Sequence, residues 1–134
     1  MSVLLAIFVG VNSHAFALSD YRCVIERVHG ADPDADPVLS FARKITLGKE
    51  FTVDRNTGIM AGALKNAYQT RPVVIDQGSK ENGFKAVTTM RAEQGIGRSS
   101  AIYTLQINEH AESPTKPFVF LTNDIVYFGR CTHY

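Results

Sequence analysis

A chain of 134 residues with 45% apolar side chains is long enough for one domain with its own core, and its composition excludes disordered and multi-span membrane classes. Its 14 basic and 13 acidic residues nearly cancel, leaving a formal charge of +1. Neutralising phosphates needs a clustered basic excess, so neither nucleic acid nor an anionic membrane is expected as a partner.

Residues 1–17 contain no Asp, Glu, Lys or Arg; Val3 to Val11 is an apolar run, and Asn12-Ser13-His14 leads into Ala15-Phe16-Ala17. This is the apolar core and A-x-A cleavage site of a secretory signal peptide, although the terminal amine replaces the usual Lys or Arg ahead of the run. The signal is atypical or the start lies upstream. The expected division is a signal peptide over 1–17 and a single domain over 18–134, in a periplasmic or secreted protein. The run is about half of the roughly 20 residues that cross a bilayer, so no transmembrane segment is expected in the mature chain.

Export gives the two cysteines a meaning, because disulfides persist outside the reducing cytosol. Neither belongs to a C-x-x-C motif, which argues against a redox or metal pair. Cys23 and Cys131 are therefore expected to bond. Closing a loop of roughly a hundred residues predicts a stabilisation of about 4 to 5 kcal/mol. It also requires the strands carrying them to be neighbours.

In chain order, Tyr21 to Val28 reads as the first strand, with Tyr21, Cys23 and Ile25 on one face and Val24 and Val28 on the other. Ala31 to Pro37, with alternating acids and two prolines, is a loop that Asp36 ends as a helix N-cap. Pro37, the apolar residues Val38, Phe41, Ala42 and Ile45, and Gly48 as a stop predict one short helix, in competition with a strand over 44–47. Phe51 to Asp54 and Ile59 to Leu64 form a hairpin about Arg55-Asn56-Thr57-Gly58. Pro72 to Ile75 is expected as a buried strand, and Phe84 to Arg91 follows it. Ser100 to Glu109 alternates Ala101, Tyr103, Leu105 and Ile107 against polar residues, the pattern of an antiparallel strand with one wet face. Phe118 to Leu121, a turn at Thr122-Asn123-Asp124, and Ile125 to Thr132 close the chain as a hairpin.

These runs predict a mainly β fold, a single small antiparallel β-barrel of about eight strands in meander order with at most one short helix. The alternatives are a β-sandwich or, should residues 60–68 prove helical, an open α+β sheet.

Motifs that carry chemistry are sparse. Asp32, Asp34 and Asp36 have the spacing of a calcium loop, but Pro37 stands where its glycine belongs and Arg43 where its glutamate belongs. Gly95-Ile96-Gly97-Arg98 leads into a strand rather than a helix, which makes it a poor phosphate loop. His29 and His133 fall at opposite ends of the fold if the terminal strands are antiparallel neighbours, and no metal or other cofactor is expected. The candidate contact residues are Arg98, Ser99, Ser100 and Tyr103, at one end of the barrel. The aromatics Phe84, Tyr103, Phe118, Phe120, Tyr127 and Phe128 fall on predicted strands, where they fill the core or line a barrel mouth.

Tyr21-Arg22-Cys23 after a signal peptide, with Cys131 near the end, resembles in architecture the periplasmic inhibitors of C-type lysozyme. Those are small barrels tied by a disulfide. Their inhibitory loop sets Ser-Gly ahead of a basic residue and Tyr, and Gly97-Arg98-Ser99-Ser100-Ala101-Ile102-Tyr103 differs in order and spacing. The function expected is a non-enzymatic binding module that contacts a protein partner or small apolar ligand through the loops at one barrel end, as an accessory subunit of an envelope complex among other settings. The alternatives are a small exported hydrolase-like enzyme using loop carboxylates or histidines, and a lysozyme-inhibitor-like protein.

Overall fold

Alternating apolar residues make the first strand, β1 (Tyr21–Gly30), and it pairs on one side with β2 (Glu50–Val53) and on the other with the last strand, β8 (Ile125–His133). The remaining strands are β3 (Met60–Gly62), β4 (Val73–Gln77), β5 (Phe84–Met90), β6 (Ala101–Ile107) and β7 (Lys116–Thr122). All eight lie in one antiparallel sheet in the order β3-β2-β1-β8-β7-β6-β5-β4. The computed structural model describes residues 18–31, 36–95, 97 and 99–134, so residues 1–17, the expected signal peptide, lie outside it. The sheet curls through 239° as a half-barrel, and its opening falls between the edge strands β3 and β4. Among the described residues no helix is long and apolar enough to cross a membrane.

The cysteines are bonded. Cys23 stands directly opposite Cys131 in the β1–β8 register, with Cα atoms 3.9 Å apart. The Tyr134 N–H donates to the Asp20 carbonyl, and the alternation of an antiparallel ladder then makes Cys23 and Cys131 a non-hydrogen-bonded pair, the closer kind. Both are fully buried, in a core shared with Tyr21, Ile25, Phe51, Phe84 and Phe118. Phe51 and Phe118 meet edge to face at 5.0 Å, and burying each such ring contributes about 1.5 to 3 kcal/mol.

A bulge between Ile25 and Arg27 corrects the expected facing of β1. The extra residue, Glu26, shifts the alternation by one, so Val28 turns inward with Tyr21, Cys23 and Ile25 instead of outward with Val24. Gly129 of β8 faces Ile25 at the start of this bulge. A side chain there would overlap the Val24 carbonyl and come within 2.6 Å of Phe118 Cε1.

The helix forms as expected, α1 (Pro37–Thr46). The Asp36 carboxylate accepts from Val38 N at 2.9 Å, Pro37 supplies the first-turn φ, and Gly48 beyond the end takes φ +75°. Because β2 reaches only Tyr21 to Val24, α1 covers the rest of β1: Arg43 Nε donates to the Val28 carbonyl at 3.0 Å. Its buried face is Leu39, Ala42 and Thr46, so of the apolar residues read as helix-forming only Ala42 points inward, and Val38, Phe41 and Ile45 face solvent.

The expected buried strand at Pro72 to Ile75 is instead an edge. β4 bonds only to β5, carries its own bulge between Val74 and Asp76, and leaves Val73 and Ile75 each 65% exposed. Residues 60–68 are not helical. The buried Asn66 amide takes the place of a strand partner there: its Oδ1 accepts from Met60 N at 2.9 Å and its Nδ2 donates to the Gly58 carbonyl at 2.8 Å.

Candidate functional site

The two ends of the half-barrel differ in chemistry. At the first, Tyr21 opens β1, His133 closes β8 directly opposite it, Glu109 follows β6, and Arg55 sits in the β2–β3 turn. The Tyr21 hydroxyl donates to Glu109 Oε2 at 2.7 Å, and His133 Nε2 donates to Glu109 Oε1 at 2.9 Å. Arg55, 4% exposed, donates from Nε to the Gln77 carbonyl at 2.8 Å and from Nη2 to the Gly78 carbonyl at 3.1 Å. Its guanidinium lies 5.1 Å over the Tyr21 ring and 4.0 Å from the Glu109 carboxylate. Arg55 thereby ties the β2–β3 hairpin to β4 across the opening of the sheet. Beside this cluster, a depression of about 480 Å³ is lined by Lys80, Glu109, His110, Ala111, Glu112 and Lys116, a rim of mixed charge.

Every member of the Tyr21 cluster is engaged by another or by backbone, which describes a structural closure of that end. Burial, and then the hydrogen bond to Glu109, push the Tyr21 phenol well above its usual pKa of 10.0. The folded state therefore holds a proton that the unfolded chain releases above pH 10. The stability this represents is fully present below pH 10 and is lost as pH rises toward the folded pKa. Urea midpoints measured between pH 9 and 11 should fall above about pH 10, and Tyr21→Phe should flatten that decline. Equal slopes in the two proteins would refute the assignment.

At the opposite end, Tyr103 of β6 stands in a file of rings. Its centroid lies 5.8 Å from Tyr68, in the segment between β3 and β4, and 6.4 Å from Phe120, which is 6.0 Å from Tyr127. Tyr68 is 62% exposed, whereas Phe120 is in the core, so the file runs from the rim inward. Burial first, and the neighbouring Tyr68 second, raise the pKa of Tyr103 and of Tyr127. A pocket of about 340 Å³ opens here. Tyr68 and Gln69 form one wall, Met90 ends β5 beneath, and Ser99, Ser100 and Tyr103 come from the β5–β6 connection and β6. Asn123, in the β7–β8 turn with φ +54°, completes it. Backbone and side chain hold Asn123 in place, for its N–H donates to the Ile102 carbonyl and its Oδ1 accepts from Ile102 N, both at 3.1 Å. Thr70 Oγ1, donating to the Thr89 carbonyl at 2.9 Å, fastens the Tyr68 wall to β5.

Three of the four candidate contact residues, Ser99, Ser100 and Tyr103, thus share one pocket. Arg98 lies outside the described residues. Tyr68, Gln69, Met90 and Asn123 were not foreseen in this role; only Asn123 carried a local signal, as a turn residue able to adopt positive φ. Of the aspartate series, Asp32 and Asp34 lie outside the described residues and Asp36 caps α1. Among the described residues no three His, Cys, Asp or Glu side chains gather as a metal site. His133 and His29 do occupy opposite ends, the latter facing Val126 at the far end of β1. Phe128 is the one strand aromatic that leaves the core, packing outside with His29 and under the Arg27 guanidinium.

Comparison of the chain with protein-family models, curated proteins and solved structures finds no match.

Proposed function

We propose that the chain is an exported, non-enzymatic binding module that contacts a protein partner or small ligand through the tyrosine-lined end of its half-barrel. The observation that carries this reading is the pocket itself: a largely exposed Tyr68 ring beside the half-buried Tyr103, with a wall of hydroxyl, amide and thioether side chains held by strand ends and hydrogen bonds. Among its described lining residues there is no carboxylate, imidazole or amine to act as acid or base. Tyrosine offers large, rigid, amphipathic area at small entropic cost, which suits recognition. The buried disulfide and the signal-like leader support export.

The test is an immobilised mature domain, residues 18–134, incubated with extract of its own cell envelope beside a Tyr68→Ala/Tyr103→Ala variant of matching thermal stability. Mass spectrometry of both eluates should show a protein or small molecule depleted about tenfold or more on the variant. Identical eluates would remove the pocket from the reading.

A further inference from the structure

We infer that the tyrosine-lined pocket takes a neutral, polyhydroxylated ring, a sugar residue of a saccharide. This rests on the reading of that end as a binding site and names the ligand class. Three features of the pocket select it. Its volume of about 340 Å³ lies at the small end of ligand pockets, roughly 300 to 1,000 Å³, which limits the occupant to about one ring and its substituents.

The lining carries no charged side chain among the described residues, so from those residues an anionic or cationic ligand would recover none of the hydration it loses. A wholly apolar molecule fails for the opposite reason. It would strip water from the Ser100 hydroxyl and the Gln69 and Asn123 amides without replacing those hydrogen bonds. What satisfies both walls is a ring with C–H faces and hydroxyl edges. The C–H face rests on tyrosine, and the hydroxyls meet the amides and hydroxyls of the rim. Asn123 Oδ1 is already engaged by Ile102 N, so what this residue offers is its NH₂, a donor suited to a sugar hydroxyl.

The rings offer the ligand an open face rather than a slot. Tyr68 and Tyr103 are tilted by 37° with centroids 5.8 Å apart, in contact with each other and not parallel, so no slot exists between them for a stacked base.

The experiment is a titration of ¹⁵N-labelled mature domain, followed by amide shifts, with glucose, galactose, mannose and N-acetylglucosamine and with their β-1,4-linked disaccharides, up to about 50 mM. Adenosine and indole serve as planar controls. The expected result is saturable shifts for at least one sugar, confined to residues 68–69, 90, 99–103 and 123. Tyr68→Ala should weaken that binding about tenfold, and Tyr68→Phe, which keeps the ring face, by less than about threefold. Should no sugar saturate, or should Tyr68→Ala bind as well as the parent, the inference is overturned. Adenosine or indole shifting those amides while the sugars do not would overturn the sugar assignment and leave the binding module standing. Silence from every probe, together with identical eluates in the envelope capture, would end both.

Discussion

Replacing Cys23 and Cys131 together by alanine, or reducing their bond, is expected to lower the unfolding free energy by about 4 to 5 kcal/mol and the melting temperature by roughly 15 °C or more. The bond joins residues 108 apart in sequence, so cutting it returns to the unfolded chain most of the freedom that a long closed loop forbids. It also joins β1 to β8, the one pairing in the sheet between strands that are not consecutive. Both cysteines are fully buried, so the alanine pair adds a loss of core contacts to the loop term. Urea unfolding of the oxidised parent and the double variant, read at matched m-values, gives the difference directly. A loss below about 1 kcal/mol would show that the loop account does not describe this domain.

Arg55→Ala is expected to cost about 2 to 4 kcal/mol, because it removes two charge-assisted hydrogen bonds, to the Gln77 and Gly78 carbonyls, from a buried guanidinium. The damage should be local before it is global. Arg55 is the side chain that holds Gln77 and Gly78 from across the opening, so the amides of β4 should lose hydrogen-exchange protection ahead of those of β1 and β8. Lysine should not rescue it, for a single ammonium cannot reproduce donors aimed from two nitrogens of a planar guanidinium. If Arg55→Ala leaves β4 protected and the urea midpoint unmoved, the arginine is not what closes that side.

The strands were legible because period-two alternation and turn chemistry are local signals. Ser100 to Glu109 and the closing hairpin about Asn123 announce themselves within ten residues or so. The disulfide was legible by arithmetic, since only two cysteines exist. The facing of Val28 was not, because a bulge depends on how β8 meets β1 at Gly129 and leaves no mark in β1 alone. The same limit hid the edge position of β4: Val73, Val74 and Ile75 look like buried strand whether or not a second neighbour arrives. In α1, Val38, Phe41 and Ile45 supplied the periodicity, yet Leu39 and Ala42 took the core, because β1 and Arg43 fix which side of the helix meets the sheet.

For the sites, Ser99, Ser100 and Tyr103 could be picked out as a loop and strand start at one barrel end. Tyr68 could not, since nothing in its segment says that Thr70 will pin it to β5. The Tyr21, Arg55, Glu109 and His133 cluster was equally hidden. Its members come from four separate stretches of chain, and Arg55 reads from sequence as an ordinary turn residue.

The sheet order has a consequence in time. Every strand pairing but one links consecutive strands and can form as soon as its hairpin exists, whereas β1 waits for β8, the last strand to be made. A chain emerging N-terminus first thus carries an open β1 edge and an unpaired Cys23 until β8 has been made. Cys131 arrives with the strand that ends the wait, so oxidation of this pair marks the moment at which the fold has its last strand in place.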